Sequence, residues 1–277
     1  MSANPVAAES PTYIMGRTSD EYARLKCQAQ VWEPKTRSVL ESAGIGPGMR
    51  CLDAGCGPGE VMRLMAQYTG PTGTVVGLDT DANIGGEAIA ALNSAGLRQC
   101  RFFNADLLRT EQMDEAPFDL VFARLLLFHM KNPADALRRL YGWLKPGGRI
   151  VIQDYDTKAI DAEPAHEVFA EFKTVWSGVC QKAALDERIG LRLPQLFVEA
   201  GIGRPDGTDV AGVLLPMNTS CYMLTAVYRS VLPLAFKFGL TTKERSDWFC
   251  EQIGGPAVAD CYVRWPLLIS AWKQKPL

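Results

Sequence analysis

Histidine is nearly missing from this chain: His129 and His166 are the two imidazoles in 277 residues. Eight cysteines, at 27, 51, 56, 100, 180, 221, 250 and 261, include no C-x-x-C pair. Neither a tetrahedral zinc set nor a disulfide framework is therefore expected, and no metal is assigned. The thiols read as small apolar core residues. An excess of one charge is lacking too. With 29 Lys and Arg against 31 Asp and Glu, the net charge is -2, and no basic stripe is present to follow a phosphate backbone, which argues against a nucleic-acid partner. No stretch approaches the ~18 apolar residues of a membrane span. The opening MSANPVAAESPTYIMG lacks the basic start and apolar run of a secretory signal. The expectation is a cytoplasmic protein with no membrane partner.

What is present is material for a core: 47% hydrophobic and 22% charged residues, the composition of an ordinary globular chain. No internal repeat or low-complexity tract interrupts it. T-S-D-E at 18–21 fits a capping box, and the helix it starts sets Glu21, Arg24, Leu25, Gln28 and Trp32 along one face, with Pro34 limiting its length. From Pro34 to Tyr155, strand and helix patterns alternate: MRCLDAG, GTVVGLDTD, RFFNADLL, FDLVFARLLLF and GGRIVIQDYD are strands with helices between them. Five such units predict a parallel sheet covered on both faces, a doubly wound α/β fold. After Asp156 the chain turns to long, aromatic-rich helical segments, and DVAGVLLP and YVRWPLLISAW are the last strand-like pieces.

The stretch CLDAGCGPGE at 51–60 carries the chemistry. A strand enters a loop with glycines at 55, 57 and 59, where the backbone can approach a ligand closely and a helix start offers N–H groups to an anionic group. A dinucleotide loop requires G-x-G-x-x-G, but Glu60 stands at the third glycine position. The G-K-[ST] ending of a P-loop is absent. Asp79 follows 24 residues after Gly55, close to the ~20-residue offset at which an acid meets ribose hydroxyls.

These residues resemble the class I S-adenosylmethionine-dependent methyltransferases. Asp53-Ala-Gly55-Cys-Gly57-Pro-Gly59 matches the family's first motif, Asp79 the acid closing its second strand, Asp106 in FFNADLL the third motif, FDLVFARLLLFHM the fourth, and LKPGGRI at 144–150 the segment after it. The resemblance implies a Rossmann-like, seven-stranded sheet with the last strand antiparallel. It implies S-adenosylmethionine as cofactor and S-adenosylhomocysteine as product. Asp53, Gly55, Cys56, Gly57 and Gly59 would take the methionine end. Asp79 would take both ribose hydroxyls and Asp106 the adenine amino group, with Leu107 packing beside the base; Thr80, Asn104 and Ala105 are further cofactor-binding candidates. Ala123 and Arg124 would line the sulfonium and the substrate side.

Three regions are expected: a lid over 1–34, the cofactor core over 35–156, and a helical cap with closing strands over 157–277, the cap falling between the fifth and sixth strands. Motif four lacks the N/D-P-P-Y/F of nucleobase amine methylation, so the chain looks similar to small-molecule enzymes such as quinone C-methyltransferases and tailoring enzymes of specialised metabolism. His129 and Tyr13 are the catalytic candidates, His129 as base or orienter because imidazole exchanges protons near neutrality. Tyr13, Glu21, Arg24, His129, Asp154, Tyr155 and Trp176 are the acceptor-side candidates. A small apolar or aromatic acceptor suits the aromatic cap. A macromolecular acceptor and a binding scaffold without transfer are the rival readings, and a homo-oligomer is left open.

Overall fold

The computed structural model describes residues 14–277; Tyr13 lies outside them. A single helix, α1 (Ser19–Ser42), begins at Thr18, whose hydroxyl accepts the Glu21 N–H, and runs straight past Pro34. The expected stop at Pro34 is thus overridden. Pro34 sits on the exposed face, while Trp32, Thr36, Val39 and Leu40 are buried on the other and hold the helix together through the missing hydrogen bond.

The core alternates as expected: β1 (Arg50–Ala54), α2 (Glu60–Thr69), β2 (Thr74–Asp79), α3 (Ala82–Ser94), β3 (Cys100–Asn104), β4 (Phe118–Arg124), α4 (Pro133–Gly142) and β5 (Leu144–Asp156). Asp81 caps α3 through the N–H groups of Asn83 and Ile84, and Pro133 pre-sets the first turn of α4. Strand side chains alternate between two apolar clusters. Leu52, Ala54 and Val76 face one layer, and Cys51 and Val75 face the other, so β1 and β2 are buried on both sides, while the edge strand β3 is largely open. Five cysteines are buried and all eight are free thiols.

Beyond β5 come β6 (Asp161–Glu163), α5 (Glu167–Lys182), α6 (Leu193–Glu199), β7 (Gly207–Ala211), β8 (Leu214–Pro216), α7 (Met217–Lys237), α8 (Lys243–Gln252), β9 (Tyr262–Arg264) and β10 (Leu267–Gln274). The large sheet has the order β3-β2-β1-β4-β5-β10-β7. The strand that closes the chain, β10, is antiparallel to both neighbours. Two expectations are corrected. The cap helices occupy two intervals, before and after β7, rather than one. Each late strand-like piece also breaks in two, because Gly212 and Pro266 interrupt the ladders; the shorter halves, β8 and β9, join β6 in a separate three-stranded sheet. His166, the second histidine, caps α5 by accepting the Val168 N–H through Nδ1 at 3.2 Å.

Candidate active site

Strand order reverses between β1 and β4, and the crevice at the carboxyl ends of these two strands is where open α/β sheets receive ligands. A cavity of about 270 Å³ lies there, roofed by α1 and the cap helices α5 and α7.

At its core end, the glycine loop leaves β1. Gly55 takes φ 71°, and a side chain there would meet Leu126. Gly59 takes φ 78°, and its Cα faces the Ala88 methyl so closely that an added Cβ would lie 2.9 Å away, which lets α2 and α3 pack. The loop does not offer the N–H groups expected for an anion. Those of Gly55 and Cys56 donate to the Leu78 carbonyl, Gly57 donates to Asp79 Oδ2 at 2.9 Å, and Gly59 donates to the Cys56 carbonyl. Asp53 takes the Met62 N–H. The end of β2 is thereby locked to the loop: Asp79 also accepts the Asp81 N–H at 3.0 Å, and burial raises its carboxyl above the ordinary value.

Asp53 and Asp79, Cys56 and Thr80, Asp106 and Leu107 all reach the cavity wall. Asp106 is shaped by accepting the Leu108 N–H and facing Arg109 at 3.6 Å. Asn104, Ala105, Ala123 and Gly59 do not reach the wall. Asn104 and Ala105 donate to the Asp79 carbonyl from behind, and Ala123 is fully buried inside β4. Asp53 Oδ2 is buried without a hydrogen-bond partner, and desolvation pushes its carboxyl up to about 7. An orphaned buried carboxylate oxygen, two strand-end carboxyls and a loop turned inward suit a ligand with a cationic centre and a nucleoside. The residues present therefore fit S-adenosylmethionine. Among the described residues, no group of three or more His, Cys, Asp or Glu is placed to hold a metal, and no helix is long and apolar enough to cross a membrane.

The opposite end is assembled from distant side chains. Arg24 and Glu21 form a buried two-pronged ion pair at 2.7 Å, and Ser230 on α7 donates to Glu21. Gln28 Nε2 and Trp32 Nε1 both donate to the Tyr155 hydroxyl, and burial pushes that hydroxyl up to about 12. Asp154 accepts the Phe128 N–H at 3.1 Å, which fixes the turn carrying His129; its carboxyl is pushed up to about 7 by burial. Phe128 stacks on Trp176, with centroids 5.9 Å apart. His129 lines the cavity, but desolvation and then the charge of Arg24 push its imidazole down to about 4. The expectation of proton exchange near neutrality is corrected: this imidazole is neutral there and a weak base.

Several wall residues have no obvious mark in the sequence. Leu125 turns the chain after β4 with φ 56°, a backbone that costs a leucine about 1–3 kcal/mol. Met223 and Trp265 come from the cap. Tyr22 donates to Asp81 at 2.7 Å and Arg17 donates to Thr80 at 3.2 Å, tying α1 to the end of β2. Of the cap aromatics, Phe172 joins Trp176 on the wall, Tyr228 stacks on Phe249 in the core, and Tyr222 and Phe236 are exposed. Leu25 and Gln28, also on the wall, are legible from their place on the helix face of Arg24.

A methyltransferase domain model matches residues 45–201, more than half of the chain. The chain belongs to the methyltransferase domain family. The chain is similar to Phosphoethanolamine N-methyltransferase 3 of Arabidopsis thaliana, 33% identical over 43% of the chain and 24% of the relative. Methyltransferase GfsG of Streptomyces halstedii is 29% identical over 68% of the chain and 70% of the relative. A crystal structure of a protein from Bacillus halodurans shares the fold with a TM-score of 0.59 at 18% identity, covering 87% of this chain and 99% of that one. The chain spans only 23–49% of the length of the first curated relatives it matches.

Proposed function

We propose that this methyltransferase moves a methyl group from S-adenosylmethionine to a small, apolar or aromatic acceptor. The observation that carries the reading is one continuous cavity, walled at one end by Asp53, Asp79 and Asp106 and at the other by Phe128, Phe172 and Trp176. The bound cofactor supplies a methyl on a positive sulfur, already activated toward nucleophiles. The protein's work is alignment and exclusion of water.

In this reading the glycine loop and Asp53 hold the methionine end, Asp79 the ribose, and Asp106 with Leu107 the adenine. The segment 14–34 serves as a lid, tied down by Tyr22 and Arg17, the core over 35–156 holds the cofactor, and the elements after 156 close the acceptor side. Neutral His129 orients the acceptor's nucleophilic atom by hydrogen bonding rather than removing its proton. The tight ion pair of Glu21 with Arg24 leaves little net charge beside the aromatic walls, which supports an uncharged acceptor body.

A labelled-methyl screen against small phenols, quinones, amines and RNA tests this. Transfer to a small aromatic or quinone acceptor is expected; transfer to RNA alone would overturn it, and binding of S-adenosylmethionine with no transfer to any acceptor favours the scaffold reading. His129→Asn is expected to lower turnover at saturating acceptor about tenfold, and unchanged turnover would remove His129 from the mechanism.

A further inference from the structure

The glycine loop offers the cavity no free protons at 55, 56, 57 and 59, whose N–H groups are spent on the protein itself, but another part of the wall holds protons ready for an anion. It lies at the carboxyl ends of β4 and β5. Arg124 and Gln153 are register partners on these strands, and Tyr155 follows two residues on, on the same side of the sheet. One stripe of α1, Gln28, Trp32 and Thr36 at four-residue spacing, docks on all three. Thr36 accepts from Arg124 Nη1 at 2.9 Å and donates to Gln153 at 2.9 Å, and Gln153 donates on to Ser270 at 2.9 Å. That is the guanidinium's single hydrogen bond among the described residues, so four of the five N–H directions of an arginine remain. The Tyr155 hydroxyl accepts from Gln28 and Trp32 at once, so both lone pairs are filled and its own proton has no acceptor among the described residues. Arg124 and Tyr155 both line the cavity.

We infer that Arg124 and Tyr155 form an oxyanion seat, in which a guanidinium and a hydroxyl, held rigid by α1, grip one carboxylate, phenolate or enolate oxygen of a bound ligand. The inference rests on the methyl-transfer reading only for which ligand supplies that oxygen. Two sources share the chemistry: the amino-acid carboxylate of the cofactor and an ionised oxygen on the acceptor. Asp53 is the carboxyl whose charge acts most strongly on Arg124, and its proton affinity, raised by burial, keeps it from fully offsetting the guanidinium near neutrality. A preorganised pair of donors in a water-poor site discriminates ionised from neutral oxygen by about tenfold or more.

The test measures binding of three probes to the wild type, Arg124→Gln and Tyr155→Phe: S-adenosylhomocysteine, methylthioadenosine, which lacks the amino-acid carboxylate, and para-nitrophenol added with S-adenosylhomocysteine, its ionised fraction read by absorbance. The wild type should raise that ionised fraction about tenfold if the acceptor supplies the oxygen, or bind S-adenosylhomocysteine far better than methylthioadenosine if the cofactor does. Both variants should lose most of whichever preference the wild type shows. Trp32→Phe, which removes a donor to Tyr155 and leaves its proton, should keep that preference within about twofold. Variants that melt like the wild type and bind every probe equally well would overturn the seat, as would an equal loss for all probes including methylthioadenosine. A wild type that captures para-nitrophenolate without binding S-adenosylhomocysteine would sink the methyl-transfer reading and leave the seat standing.

Discussion

At the core end of the cavity, Asp79 is fixed by the backbone of Gly57, 22 residues away, and by Asp81, two residues away. At the cap end, Arg24 touches Met223 across 199 residues and Glu21 meets Ser230 across 209. One end is built from backbone groups and short turns; the other is built from side chains carried there by tertiary packing. The first can tolerate change in the cap, whereas the second depends on α1, β5, α5 and α7 meeting correctly. That difference separates what should fail when each end is altered.

The largest expected effect breaks the core end. Asp79→Ala removes the acceptor for the Gly57 and Asp81 N–H groups along with the proposed ribose partner, and should weaken S-adenosylhomocysteine binding by about 100-fold or more, measured by calorimetry. Gly59→Ala comes next. Its φ of 78° and the Ala88 methyl 2.9 Å from the new Cβ should cost stability, on the order of 1–3 kcal/mol, read as a fall in melting temperature. An unchanged melting temperature would show that α2 and α3 are not clamped there.

The same contrast explains what the sequence could and could not convey. Asp53, the glycines, Asp79 and Asp106 are legible because strand-loop-helix geometry links neighbours in the chain. The stripe of Glu21, Arg24 and Gln28 was visible from helix periodicity, but its partners were not, since Ser230 and Met223 lie on a helix whose placement no local pattern encodes. Pro34 misled because packing of Trp32 and Thr36 outweighs one lost hydrogen bond. His129 misled because its ordinary proton affinity ignores burial and Arg24. Leu125, in a left-handed turn without glycine or asparagine, carries no sequence mark.

Two smaller effects sharpen the comparison. Trp176→Ala should remove the stack on Phe128 and raise the acceptor's KM about tenfold, while the affinity for S-adenosylhomocysteine stays within about twofold; a loss of both would deny that the ends are separable. Asp53→Asn probes pH. The folded-state value of Asp53, about 7, lies above its ordinary 3.8, so the folded protein binds a proton that the unfolded chain releases between those values. Its contribution to stability is therefore greatest at the acid end and falls as pH rises through that window. The variant should gain melting temperature over the wild type at pH 8 and little or none at pH 4, in ligand-free protein; a gain equal at both pH values would place the Asp53 carboxyl elsewhere on the titration scale.

The most direct measurement is a calorimetric titration of the wild type and Trp176→Ala with S-adenosylmethionine and S-adenosylhomocysteine. Saturable one-to-one binding of both ligands, little changed by the cap substitution, is the result expected of a cofactor end built on Asp79 and the glycine loop. Absence of binding to either ligand by the folded wild type would contradict it.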